Sequence, residues 1–84
     1  MNVKYKGTVV KISGPVVDVR FEGKLPPINS LLFIEGEEKH LEVAMHISID
    51  TVRAIALEAT EGLSCGLSVV SDGEGITVPV GAEV

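Results

Sequence analysis

The sequence predicts an all-β domain, a small closed six-stranded antiparallel β-barrel. Three observations carry that expectation. β-Branched residues are abundant: thirteen Val, seven Ile and four Thr make 24 of 84 residues. Such side chains pack well on a pleated surface and lose rotamer freedom in a helix. Short apolar runs alternate with clusters of Gly, Pro, Asp and Glu along the whole chain, the spacing of a sandwich or barrel. No long segment has helical periodicity. Leu63, Gly66 and Val69 are spaced by three, but two glycines and Ser64 disfavour a helix there. Closing the sheet removes the unpaired edges that make open sheets aggregate.

The predicted strands run, in order, over Gly7–Ser13, Val16–Phe21, Leu31–Glu35, His40–Ser48, Thr51–Leu57 and Ile76–Val80, with Ser68–Ser71 a further short candidate. Gly14-Pro15 separates the first pair, and Gly23-Lys24-Leu25-Pro26-Pro27 the next. Further breaks fall at Gly36-Glu37-Glu38, Ser48-Ile49-Asp50, Thr60-Glu61-Gly62 and Asp72-Gly73-Glu74-Gly75. Each break holds residues that accept positive φ or preset φ for a turn. Val17, Val19 and Phe21 share one face of their strand, with Asp18 and Arg20 on the other. Leu41, Val43, Met45 and Ile47 share a face in the same way, which predicts all four for the core. Thr51–Leu57 has two phases: either Val52, Ala54 and Ala56 point inward, or Ile55 and Leu57 do. Leu31-Leu32-Phe33-Ile34 is apolar on both faces, so either its own barrel buries it or a neighbour or a loop covers one face. Pro79 cannot donate to a central ladder, so the last predicted strand should lie at an edge or end early.

Size and charge narrow the function. A chain of 84 residues holds one domain, here taken as residues 1–84. A core of that size buries only about 60% of the surface the unfolded chain exposes. The chain cannot house a TIM barrel, a kinase, or a Rossmann unit with its substrate domain. The net charge of −5 opposes binding to nucleic-acid phosphates or anionic lipid. An oligonucleotide-binding barrel would also need exposed aromatics, and there are only one Tyr, two Phe and no Trp. No apolar stretch approaches the roughly 20 residues that span a bilayer. Met1-Asn2-Val3-Lys4 lacks the apolar core of a signal peptide, so a cytoplasmic start is expected. Cys65 has no internal disulfide partner, which fits a reducing compartment.

Residues that carry chemistry elsewhere are sparse here. His40 and His46 would share a strand face about 20 Å apart, too far to hold one ion, and zinc needs three or four ligands. Glu42 beside His40 does not complete a set, so solvent-facing strand histidines are the simpler reading. Cys65, between Ser64 and Gly66, reads as a small turn residue rather than a nucleophile. Asp72-Gly73-Glu74-Gly75 carries two carboxylates that repel phosphate, and no Gly-Lys-Ser or Gly-Lys-Thr occurs anywhere. Glu37 and Glu38 read as a solvated turn rather than an acid/base pair. Glu42-Val43-Ala44-Met45 has the look of a biotin or lipoate carrier hairpin, but His46 stands where the attachment Lys belongs. No catalytic, cofactor-binding or metal-binding residue is predicted. From the residues alone the chain is an interaction or assembly module.

Specific words extend that reading. Gly7-Thr8-Val9-Val10-Lys11-Ile12-Ser13-Gly14-Pro15-Val16-Val17-Asp18-Val19-Arg20-Phe21 resembles the opening of the beta subunits of F-type ATP synthases. Leu25-Pro26-Pro27-Ile28, Leu41-Glu42-Val43-Ala44-Met45-His46, Thr51-Val52-Arg53-Ala54-Ile55-Ala56-Leu57, Thr60-Glu61-Gly62-Leu63 and Ile76-Thr77-Val78-Pro79-Val80-Gly81 follow in the same order. The likeness runs from about Lys6 to Gly81. The Asp-Val-Arg-Phe and Thr-Val-Arg words favour the catalytic beta subunit over the alpha subunit. Departures are Met45 where a Gln is usual, Gly75 where a Pro is usual, and Ser64-Cys65 in place of a pairing with a basic residue. The resemblance implies a longer polypeptide that makes ATP from ADP and phosphate using a transmembrane proton or sodium gradient. It further implies that the nucleotide-binding and helical domains, with Mg-ATP/ADP and every catalytic residue, lie outside these 84 residues. It implies a crown of three beta and three alpha barrels, with alpha subunits on both sides, around a central shaft subunit. The location implied is the cytoplasmic face of a bacterial membrane, peripheral and without direct membrane insertion. The alternative is a free-standing small β-barrel binding module without enzymatic activity.

Overall fold

The computed structural model describes residues 3–73 of the chain. Six strands form: β1 (Tyr5–Ser13), β2 (Val16–Phe21), β3 (Leu31–Ile34), β4 (His40–His46), β5 (Thr51–Ala56) and β6 (Ser68–Ser71). They close into a barrel in the order β1-β2-β5-β4-β3-β6, every pairing antiparallel. The short candidate Ser68–Ser71 supplies the closing strand, pairing β1 on one side and β3 on the other. The predicted strand Ile76–Val80, and Pro79 with it, lies outside the described residues.

The β1–β2 connection shows how local chemistry sets register. Ser13 and Val16 face each other, leaving Gly14-Pro15 as the two turn residues. Gly14 has φ 60°, open to glycine and strained for other residues, and the proline ring presets the next φ. A positive first φ followed by a negative one suits the right-handed twist of a hairpin.

The interior is a layer of aliphatic side chains around Phe21. Val9, Val17, Val19, Leu32, Ile34, Leu41, Val43, Val52, Ala54 and Val69 complete it, all buried. Leu25, and Leu63 and Leu67 of the β5–β6 connection, pack half-buried against the same core. Thr51–Leu57 takes the phase with small residues inside: Val52 and Ala54 are buried, whereas Ile55 and Leu57 are exposed. Leu32 and Ile34 point into the barrel while Leu31 and Phe33 stay half-buried outside, so β3 is covered on its inner side by its own barrel.

The expectation for β4 fails at its second half. Leu41 and Val43 are buried, but Met45 is 48% and Ile47 39% exposed. The cause is a bulge: Val43 faces Ala54 and Met45 faces Arg53, so Ala44 is the extra residue. One inserted residue moves everything after it to the opposite face. A second bulge at Val10 separates the Val9–Val19 and Lys11–Asp18 pairs. There the β5–β6 connection takes over the ladder, with Val9 N–H bonding Leu67 O at 2.9 Å and Gly66 N–H bonding Val9 O at 2.8 Å.

Candidate functional site

The outer surface carries the chemistry, and strand register assembles it. Met45, Arg53, Asp18 and Lys11 fall in one row across β4, β5, β2 and β1. Arg53 Nε donates to Asp18 Oδ1 at 3.1 Å and its Nη2 to Oδ2 at 3.5 Å, a fork matched to a carboxylate. Asp18 is only 6% exposed although it points away from the core, because its neighbours cover it. The hydrogen bond to Asp18, then its charge, raise the already high pKa of Arg53. Lys11, Ser13 and Val16 complete an open notch of about 270 Å³ beside this pair.

A second cluster sits at the β4–β5 turn. Asp50 accepts from Ser48 Oγ and Thr51 Oγ1, each at 2.9 Å, and from Arg20 Nε at 3.1 Å. Thr51 foremost, then Ser48 and Arg20, hold its carboxyl below the usual carboxylate range. Thr8, Val10 and Glu22 border a wider open hollow next to it. Both hollows contain a carboxylate, and in the first that carboxylate takes up the Arg53 fork.

The bulge also separates the histidines, which the unbroken alternation had placed on one face. His40 lies opposite Phe33, ring edge to ring face at 5.1 Å, with Nδ1 3.2 Å from Glu58 Oε2. Glu58 Oε1 accepts the His40 backbone N–H at 2.7 Å. This bond, followed by that to the ring, holds the Glu58 carboxyl below its ordinary pKa. His46, shifted to the Val52 face, meets Pro26 O through Nε2 at 2.7 Å. Glu42 accepts from Asn29 Nδ2, away from His40 in the bonding network. Cys65 is exposed and not in a disulfide. Among the described residues no group of three or more His, Cys, Asp or Glu could hold a metal ion. Glu37 and Glu38 occupy the exposed β3–β4 turn, where Glu37 N–H bonds Ile34 O.

The sequence placed Asp18 and Arg20 together on one outer face, but not their partners. Arg53 and Asp50 are 35 and 30 residues away, and only the β2–β5 pairing brings them near.

A family model described as the β-barrel domain of the ATP synthase alpha/beta family matches residues 9–73. Among solved structures, the chain is similar to the assembled ATPase EscN, in complex with its central stalk EscO, from the type III secretion system of enteropathogenic E. coli. The TM-score is 0.73 at 23% identity, over 82% of this chain. The chain spans 16% of the EscN chain, so the likeness is one of fold over a single segment.

Proposed function

The chain belongs to the ATP synthase alpha/beta family as its β-barrel domain, and on that premise we propose that it is the N-terminal barrel of the catalytic beta subunit of an F-type ATP synthase. Its job in this reading is mechanical. Catalytic subunits open and close as a central shaft turns, and the ring must not separate while they do. A closed barrel, with no free edges and a filled core, is stiff enough to anchor each subunit laterally. Alpha-subunit barrels flank it on both sides in a three-plus-three ring.

The observation that carries the reading is the family match over most of the described barrel. The Asp18-Val19-Arg20-Phe21 and Thr51-Val52-Arg53 words support the beta assignment within the family. Residues 1–84 are proposed as one non-catalytic domain, with Mg-ATP and Mg-ADP bound by other segments of the polypeptide. The complex would work at the cytoplasmic face of a bacterial membrane, driven by a proton or sodium gradient. A free-standing binding module is the less favoured reading, since it leaves the family match without a role.

Assembly is the test. The full polypeptide that carries this barrel, purified with its alpha subunit, should give a three-plus-three ring by native mass spectrometry. Deleting residues 1–84 should abolish the ring while nucleotide binding survives. A ring of six identical chains overturns the beta assignment and leaves the family standing. Nucleotide turnover by the 84-residue chain alone overturns the mechanical role.

A further inference from the structure

Among the described residues the buried polar side chains are Asp18, Ser30 and Ser71. Arg53 accounts for Asp18. The two serines meet at one place, the end of the barrel where the chain leaves β6. Ser71 has the inward phase of Val69, two residues before it. Its Oγ donates to Leu31 O at 2.8 Å and accepts the Gly73 N–H at 3.0 Å. Ser30 Oγ donates to Gly73 O at 3.4 Å. On the β1 side, Lys4 N–H donates to Ser71 O at 2.9 Å. Gly73 has φ 83°, and a Cβ there would lie 2.9 Å from Tyr5 Cε2, so the Tyr5 ring closes over the glycine. These contacts fall on the shortest seam of the barrel. β3 and β6 face each other at Phe33–Val70 and Ile34–Val69, whereas every other pairing is longer. Glu35 N–H to Ser68 O extends that seam at the end away from the exit. At the exit end, the serine side chains carry it on to Leu31 and Gly73.

We propose that Tyr5, Ser30 and Ser71 form a clasp that holds the chain's exit at Gly73 and keeps β6 from peeling away when the following segment pulls on it. Both neighbours of β6 run antiparallel to it, so the exit lies beside Tyr5 and Leu31. A pull at Gly73 therefore loads the ladder from one end, and each bond bears the whole load in its turn. Without the serines, the first bonds it meets on the β3 side are those of the Phe33–Val70 pair. Losing that seam opens the barrel at its closing strand and uncovers Val69, Leu32 and Ile34 of the core. Local opening of this kind starts where the fewest backbone bonds resist it. Ser71 raises the resistance on both sides at once, its hydroxyl on β3 and its carbonyl on the residue before β1. The inference rests on the proposed mechanical role of the barrel and deepens it, by naming where tension enters and which side chains meet it.

Native-state hydrogen exchange tests the clasp. In the 84-residue chain, Ser71→Ala leaves the buried Leu31 carbonyl and the Gly73 N–H without their partner. The β6 amides should then exchange at least about tenfold faster, while those of β2 and β5 change less than about threefold. Ser30→Ala should act in the same direction and more weakly, its bond being the longer one. Circular dichroism of each variant checks the fold, and Ser30→Ala carries the test if Ser71→Ala does not fold. Unchanged exchange in β6 overturns the clasp, and so does equal acceleration across the barrel, which marks a general loss of stability. The role under tension is read in the full polypeptide assembled with its alpha subunit, by comparing β6 exchange at rest and during nucleotide turnover. Exchange in β6 should rise with turnover in Ser71→Ala and stay level in the native protein. No rise in the variant, or an equal rise in both, overturns that role. The ring forms or fails to form whatever the clasp does, so this inference and the assembly reading fail separately.

Discussion

Gly7→Ala is the substitution whose cost the structure defines best. Gly7 sits on an inward position of β1, opposite Phe21. Its φ is not in the left-handed region, so backbone freedom does not explain the glycine. Space does. A Cβ built there would lie 2.6 Å from Arg20 O, 2.9 Å from Phe21 Cδ2 and 3.0 Å from Val19 Cγ1. The closest atom is a main-chain oxygen in the β1–β2 ladder, which cannot rotate away as a side-chain tip could. Phe21 is the largest fully buried side chain, so displacing it disturbs the whole core. Overpacking typically costs about 1–3 kcal/mol, and the backbone contact puts this case at the upper end. Restricting the unfolded chain returns about 0.4–1 kcal/mol. The net expectation is a loss of about 2 kcal/mol. For a domain of this size that lowers the Tm by roughly 8–16 °C. Thermal unfolding followed by circular dichroism measures it. Gly14→Ala is the comparison: nothing lies within 4 Å of its added Cβ, and only the positive φ of 60° is penalised. Its cost should be about 1 kcal/mol. If Gly7→Ala melts within about 3 °C of the native chain, close packing between β1 and β2 is not what keeps this position glycine.

Three further outcomes are expected. Asp18→Asn should destabilise by about 1–2 kcal/mol in urea unfolding, since the buried acceptor of Arg53 loses its charge; no change would mean the fork contributes nothing. Val43→Ala should cost about 2–3 kcal/mol while Met45→Lys stays within about 0.5 kcal/mol, because the bulge turns Met45 outward; comparable losses at both sites would contradict the bulge. Glu58 titrates in the folded state below its ordinary value of 4.5. Its contribution is therefore complete above that value and is lost as the pH falls through the lowered folded one. The Tm of Glu58→Gln should fall less between pH 6 and pH 3 than that of the native chain, and parallel curves would rule out the His40–Glu58 tether.

Much of the fold is legible in the residues because strand alternation and turn chemistry are local. The period of two over Val16–Phe21 depends on nothing outside that strand. The Gly14-Pro15 turn presets its own backbone angles, and the strands near it follow. The absence of a Gly-Lys-Ser or Gly-Lys-Thr loop is likewise a property of the string of residues, as are the words shared with the ATP synthase family. Other features belong to pairs of strands. Leu41, Val43, Met45 and Ile47 alternate without a break, yet Ala44 bulges because β5 accepts two residues of β4 opposite one of its own. No residue of β4 announces that by itself. The partners of Asp18 and Arg20 are hidden for the same reason. The phase of Thr51–Leu57 also depends on outside space, since small residues turn inward only where the opposite wall leaves little room. The sequence by itself determined the β class, the turns and the family. The tertiary structure alone decided which strand closes the barrel, where alternation breaks and which partners Asp18 and Arg20 meet, because each depends on contacts between residues far apart along the chain.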